Sequence, residues 1–353
     1  MKPLVPSCIA ALLLTFSMAV SACGDDGAPP KPTEETPGTE SLPVVTHQVG
    51  AFRLKIDGSA LQRLAEPSAY VSPDGSRIAT IRTGQAGADA VLILANTDGA
   101  NEVEVGAVAK QGTAVPVWSP DGGKVVVGGA TEGTLLIVNA DATGLRELAV
   151  GAAEFPETTW SPDGTKIAFV PRGTQPGRRT RLAILGVESG TAEPLVSVDT
   201  QPQQISWSGD EQRLAFAIIG EGVFIVNSDG TDLKQISTGY SPALSYDGRY
   251  VLVSRGPAED SGSALVRVDV ETLEESVLFE WQATTGGTID TAAWSPNGEK
   301  IAFIARPEDA LGIYIVNTDG SDLYQLVAPF GNIVSELQWL SDQQLYFVTE
   351  SQH

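Results

Sequence analysis

Apolar positions in this chain come in short runs bounded by turn residues. Examples are KVVVG (124–128), KIAFV (166–170), RLAFAI (213–218) and KIAFIA (300–305). Runs of Val, Ile, Leu and Phe closed off by Gly, Pro, Asp and Asn are strand signals, and no segment sustains a helical period. The turns themselves repeat. WSPDGGKVVV (118–127), WSPDGTKIAF (160–169) and WSPNGEKIAF (294–303) are near copies, and they belong to a longer series. That series is Ser72-Pro-Asp-Gly, Ser119-Pro-Asp-Gly, Ser161-Pro-Asp-Gly, Ser208-Gly-Asp-Glu, Ser245-Tyr-Asp-Gly, Ser295-Pro-Asn-Gly and Ser341-Asp-Gln-Gln. Its serines lie 37 to 50 residues apart, a period that points to propeller blades.

A second motif alternates with the first. LILANTDGANEVEV (92–105), LLIVNADATGLREL (135–148), FIVNSDGTDLKQI (224–236) and YIVNTDGSDLYQL (314–326) are clear copies. LAILGVESGTAEPL (182–195) and LVRVDVETLEESVL (265–278) are degenerate ones, and FRLKIDGSALQRL (52–64) is the seventh. Each serine turn joins an inner strand to a second strand. Pro presets φ there, Asp bonds nearby backbone and Gly accepts positive φ. Each Asn-x-Asp-Gly turn closes a hairpin between a third and a fourth strand. The chain opens on an Asp-Gly half and closes on a serine-turn half, and either alone would leave bare strand edges. The pattern therefore predicts an all-β fold: a seven-bladed β-propeller over 51–350, four antiparallel strands per blade, its last blade taking two strands from each terminus.

Five of the six tryptophans, Trp118, Trp160, Trp207, Trp294 and Trp339, sit just before the serine-turn position. There they are expected to end the inner strand and pack between blades, burying a large area. Trp281 lies outside this pattern and is a candidate for a surface contact. Arg82, Arg172, Arg255 and Arg306 each fall ten or eleven positions after the serine of their own repeat. They are expected directly after the second strand, on one face of the ring, with Arg178, Arg179 and Arg181 added on one loop. Guanidinium groups gathered on such a rim would suit an acidic partner or a carboxylated ligand. The opposing reading is that they pair with Asp89, Glu259, Asp260, Glu308 and Asp309 in the same kind of loop.

The N-terminus adds a setting. MKPLVPSCIAALLLTFSMAVSAC carries Lys2, an apolar stretch and small residues before Cys23. It reads as a secretory signal over 1–22, too short and wrongly flanked for a stable span. Val20-Ser-Ala-Cys23 resembles the lipobox of bacterial lipoproteins, which implies cleavage before Cys23 and lipid on that residue, the chain's link to a membrane. Residues 23–50 are rich in Pro, Glu, Thr and Gly and read as a disordered tether. It would span roughly 30 Å as a coil and up to about 80 Å as polyproline II. The only cysteines are Cys8 and Cys23, so the expected mature domain has no disulfide.

The repeats resemble the TolB-like, or PD40, family of WD40-like propellers, over nearly the whole of 52–349. The resemblance implies the fold and a cell-envelope setting. Two departures stand beside it: the family's namesake has six blades and a preceding α/β domain, whereas this chain reads as seven blades behind a tether.

The 44 acidic and 22 basic residues leave a net charge of −22, which repels nucleic acid and anionic lipid. His47 and His353 are the only histidines, one in the tether and one at the end, so no Ser-His-Asp arrangement, zinc site or histidine-dependent lyase site is expected. Gly239-Tyr-Ser-Pro-Ala is the nearest string to a nucleophile elbow and reads as an interblade turn. Asn227-Ser-Asp-Gly-Thr-Asp and Asn317-Thr-Asp-Gly-Ser-Asp place oxygens closely enough for calcium, but a hairpin turn explains them. The expected function is that of a monomeric, lipid-anchored envelope propeller without cofactor, metal or catalytic residues, binding an envelope protein through loops on one face. The alternative is a sugar- or small-anion-binding protein, or a carboxylate-dependent lyase or hydrolase, working at the central channel.

Overall fold

A computed structural model describes residues 49–350, apart from 66–68, 84–89, 110–114, 152–156, 172–179, 257–262, 282–286, 307–310 and 331–332. Among the described residues there is no helix, and so none long and apolar enough to cross a membrane. Strands form seven four-stranded antiparallel sheets. Blade 1 holds Ala69–Val71, Arg77–Thr83, Ala90–Asn96 and Val103–Val108; blade 2, Val117–Trp118, Lys124–Gly128, Thr134–Asn139 and Arg146–Ala149. Blade 3 holds Thr158–Trp160, Lys166–Phe169, Thr180–Gly186 and Ala192–Val198; blade 4, Pro202–Trp207, Arg213–Ile218, Gly222–Asn227 and Lys234–Ser237. Blade 5 holds Tyr240–Leu244, Tyr250–Arg255, Ala264–Asp269 and Glu275–Glu280; blade 6, Thr288–Trp294, Lys300–Arg306, Leu311–Asn317 and Tyr324–Phe330. Blade 7 is built from both ends of the domain: Ile333–Ser341 and Gln344–Glu350 sit beside Gly50–Lys55 and Gln62–Ala65. Gly50–Lys55 pairs with Gln344–Glu350 from Gly50↔Thr349 to Lys55↔Gln344 and closes the ring.

The unbroken apolar runs have a direct cause. Side chains alternate across a strand, and in a propeller both faces of a blade meet another blade. Ile167 and Phe169 pack toward blade 2, whereas Ala168 and Val170 pack toward blade 4. Ile301, Phe303 and Ala305 face blade 5, and Ala302 and Ile304 face blade 7. The core is accordingly seven apolar clusters, one at each seam between blades.

The serine turns are a hydrogen-bonded device repeated in six blades. The buried serine donates its Oγ to the Asp or Asn two positions on, at 2.6–2.8 Å, in the turns starting at Ser72, Ser119, Ser161, Ser208, Ser245 and Ser295. The same oxygen accepts the amide five positions on, at 2.8–3.0 Å. Ser208-Gly-Asp-Glu, poor as a sequence copy, keeps this geometry, with Glu211 at φ 62° where the other five turns have glycine. Ser341-Asp-Gln-Gln does not: Ser341 pairs directly with Gln344 in a tight hairpin, and Asp342 accepts the Asn297 amide of blade 6 at 2.8 Å.

Candidate functional site

The connections divide the ring into two faces. Serine turns and Asn-x-Asp-Gly turns lie on one, here called the turn face. The last residues of second and outer strands and the first residues of inner and third strands lie on the other, the handover face.

On the turn face, polar groups are consumed locally. Asp229 accepts the Thr231 amide and hydroxyl at 2.9 and 2.6 Å, and Asp319 accepts those of Ser321 at 2.9 and 2.6 Å. These turns, weighed as calcium loops from sequence, spend their carboxylates capping backbone. Hydroxyl bonds from Thr231 and Ser321, followed by the amides, hold both carboxyls below the usual range. Among the described residues no three His, Cys, Asp or Glu groups come together as metal ligands would.

The tryptophans lie at the blade seams. Trp118, Trp160 and Trp339 are buried and Trp294 half-buried, and each donates its indole N–H to an inner-strand carbonyl of the preceding blade: Tyr70, Val117, Ala293 and Ala243 respectively, at 2.8–3.0 Å. Trp207 is equally buried, but its N–H has no partner among the described residues. Trp281 follows the outer strand of blade 5 and leans on Phe279, ring centroids 5.7 Å apart, half-buried at the edge of the blade 5–6 cluster.

The arginines behave differently from the sequence expectation. Arg82, Arg255 and Arg306 lie inside the second strands, at or next to their last residue, because those strands run further than the apolar pattern alone suggests. Arg82 makes a two-pronged bond to Glu102 at 2.8 and 2.9 Å. Arg255 bonds Glu275, and also Ser237 Oγ at 2.8 Å in blade 4. Both glutamates lie 20 positions ahead, at the start of their own blade's outer strand, so these side chains fold back along the sheet instead of standing out from a rim. Arg306 is half-buried and has no hydrogen-bond partner among the described residues. Arg172, Arg178 and Arg179 lie outside the described residues, as do His47, His353, Cys23 and the acids at 89, 259, 260, 308 and 309; of Arg181 only the backbone, opposite Ser197, is described.

Other arginines, unremarked in the sequence, staple blades together on the turn face. Arg77 donates to Ala140 O of blade 2, Arg146 to Val187 O of blade 3 at 2.8 Å, Arg213 to Gly248 O of blade 5 at 3.1 Å, and Arg267 to Thr318 O of blade 6.

At the handover end of the channel a polar belt crosses four blades. Glu157 accepts the Gln204 amide. Gln204 grips Ser241 twice, accepting its amide at 2.8 Å and donating Nε2 to its Oγ at 3.0 Å. Ser241 then donates to Asp290 O at 2.9 Å, while Tyr240 donates to Ile289 O at 3.1 Å. Thr288 donates to the Asp290 carboxylate at 3.0 Å. The inner strands of blades 4, 5 and 6 each break register at these positions, and Gln204 and Ser241 take left-handed φ of 55° and 51°. Bulges and left-handed non-glycine residues collect at binding sites, where they re-aim side chains. Glu157 and Gln204 are exposed and Asp290 half-buried. Tyr240 holds its proton more tightly than a free phenol because of burial and the nearby Asp290 charge. Gly239-Tyr-Ser-Pro-Ala, read from sequence as an interblade turn, is thus the bulged start of an inner strand.

A family model described as the TolB beta propeller domain matches residues 56–285. No curated protein matches the chain. Among solved structures, oligogalacturonate lyase from Vibrio parahaemolyticus has a TM-score of 0.55 at 13% identity, over 79% of this chain and 88% of the lyase. A prolyl endopeptidase has a TM-score of 0.54 at 15% identity, over 80% of this chain and 47% of that one. TolB from Acinetobacter baumannii is 15% identical with a TM-score of 0.49, and the chain covers 65% of its length. The solved structures are too distant in sequence to speak to more than fold. The family match spans more than half of a chain built from the repeat that defines it, and the chain belongs to the TolB beta-propeller family.

Proposed function

We propose that this protein is a lipid-anchored propeller of a bacterial cell envelope that binds another envelope protein through its handover face and performs no catalysis. The belt from Glu157 to Asp290 carries this reading: it is a rigid, partly exposed polar surface at a channel mouth, on a fold whose opposite face spends its polar groups on its own turns. Cys23 and the tether would hold the ring at a membrane while leaving that face free to turn toward a partner. Site-specific photo-crosslinkers at Glu157, Gln204 and Arg306, compared with Pro120 and Pro296 on the turn face, test the reading in cells. Adducts with one envelope protein from the first set support it, whether or not the second set also reacts; adducts from neither set, or only from the second, overturn it. Arg306→Glu is the cleanest charge reversal, since Arg82 and Arg255 are tied to glutamates. Replacing Cys23 by Ala should abolish lipid labelling and release the protein from the membrane fraction.

The belt also favours a second reading, a small ligand in the channel. Its carboxylates and carbonyls are acceptors, which suit the hydroxyls of a sugar better than an anion. Calorimetric titration with neutral oligosaccharides separates the two: saturable binding abolished by Gln204→Ala favours the sugar, and no heat removes it.

A further inference from the structure

Among the described residues the turn face carries one exposed aromatic ring. The second position of the serine turns is Pro73, Pro120, Pro162 and Pro296 in four repeats, but Gly209 and Tyr246 in two adjacent ones. These two departures are one feature. A Cβ at Gly209 would sit 2.1 Å from Tyr246 Cδ2 and 2.6 Å from Cγ, so the ring lies directly on the glycine. The Asp210 amide donates to Tyr246 O at 2.8 Å and fixes the two turns against each other. One side of the ring is therefore held while the other is open: Tyr246 is 68% exposed, and the other aromatic side chains among the described residues are buried or half-buried.

Stability does not account for this ring. A proline makes the same turn in four other blades, and a ring left mostly in water contributes little burial. The glycine that accommodates it adds freedom to the unfolded chain, which is a cost. The surroundings are acidic. Exposed Asp210 and Asp247 adjoin the ring in the two turns, and hydrogen bonds from Ser245 and the Arg249 amide, outweighing burial, hold the Asp247 carboxyl below its usual range. Nearby cations are committed elsewhere: Arg213 to Gly248 O and Glu271, Arg249 to Asp269, and Arg267 to Thr318 O. Arg249 and Arg267 also stand over the Tyr250 ring, 4.9 and 4.7 Å from its centroid, so this blade already pairs guanidinium with an aromatic face.

We infer that Tyr246, backed by Gly209 and flanked by Asp210 and Asp247, is a docking point for an arginine- or lysine-bearing segment of a partner protein. An open aromatic face attracts a cation through its quadrupole, and carboxylates beside it add the charge complementarity. The net charge of −22 favours encounter with such a segment. This surface is independent of the handover face and stands or falls separately from it.

The test is fluorescence anisotropy of a labelled polyarginine peptide with the full chain, at physiological salt, against polyglutamate as control. Tyr246→Ala should weaken polyarginine binding about threefold to fivefold. Tyr246→Phe should stay within about twofold of wild type, because the ring face and not the hydroxyl makes the contact. Asp247→Asn should weaken binding and flatten its salt dependence, and Pro296→Ala should change nothing. If Tyr246→Ala, with an unaltered melting temperature, binds like wild type, the attraction is only the diffuse charge of the molecule and the proposal fails. Equal losses for Ala and Phe would assign the effect to the hydroxyl and also overturn it.

Discussion

Blade 7 packs unequally on its two neighbours. Against blade 6 it contributes Phe52, Leu54, Ile56, Trp339, Leu345 and Phe347 to a large apolar cluster, with Phe52 and Phe347 stacked at 5.5 Å. Against blade 1 the buried cluster among the described residues is Ala51, Val71, Tyr346 and Val348 alone. The difference follows from which side chains the alternation of each strand sends to which side: Gly50–Lys55 turns Phe52 and Leu54 toward blade 6 and Ala51 toward blade 1, and Gln344–Glu350 turns Leu345 and Phe347 toward blade 6 and Tyr346 and Val348 toward blade 1. Blade 1 also has Val71 where most other blades have tryptophan, and the seam is bridged instead by the buried Tyr346 hydroxyl, which donates to Ala69 O at 2.9 Å. Among the described residues the seam beside the closing blade thus holds the smallest of the seven clusters. Closure of the chain and cohesion of the ring are separate problems.

The largest expected effect comes from the stronger side. Phe347→Ala should destabilise the protein by about 3–5 kcal/mol in denaturant unfolding, since it empties a fully buried site in the dense cluster. Val348→Ala, facing the thin seam, should cost distinctly less; equal losses would erase the contrast. Tyr346→Phe should cost about 1–3 kcal/mol by leaving the Ala69 carbonyl buried without its donor, and hydrogen exchange should then rise first in blades 7 and 1. Exchange that begins instead between blades 6 and 7 would place the weak seam elsewhere.

Smaller effects sharpen the picture at other seams. Trp160→Phe should cost about 1 kcal/mol more than Trp207→Phe, because Trp160 gives up a hydrogen bond to Val117 O while Trp207 has none to lose. The smallest effect is that of pH. The Ser119 hydroxyl and the Gly123 amide hold the Asp121 carboxyl low, and at Asp74 and Asp163 burial works the other way but hydrogen bonds outweigh it. A carboxyl depressed in the folded state stabilises the fold above its unfolded value and loses that contribution as pH falls through the folded one, below about pH 4. Ser119→Ala should therefore flatten the acid limb of the stability curve, measured by melting temperature against pH. Blade 7, whose Ser341 hairpin lacks the device, should be the blade whose turn responds least.

Much of this architecture is written in local chemistry. A serine turn needs only its own six residues, since the Ser oxygen, the Asp carboxylate and the amide that closes it are all within five positions, so the repeat can be read and counted without a structure. The tryptophans are legible for the same reason. The arginine series is not: Arg82 and Arg255 reach Glu102 and Glu275 across the third strand of their own blades, a contact between second and outer strands that the serine-to-arginine spacing does not show. The belt was missed because a bulge at Gln204 or Ser241 adds a residue without changing the composition of the strand. One signal was available, the paired departure of Gly209 and Tyr246 in neighbouring repeats, but its meaning rests on contact between turns of different blades.

Sequence alone determined the strand content, the turn device and the seven-fold count, because each follows from interactions among near neighbours repeated along the chain; the joining of the two ends in one blade then followed from the two unpaired half-repeats left at the ends of the array. Tertiary structure alone decided which seam is thin, where the arginines go, and which polar groups line the channel mouth. Those depend on how one blade is set against the next, and residues far apart in the chain settle that together.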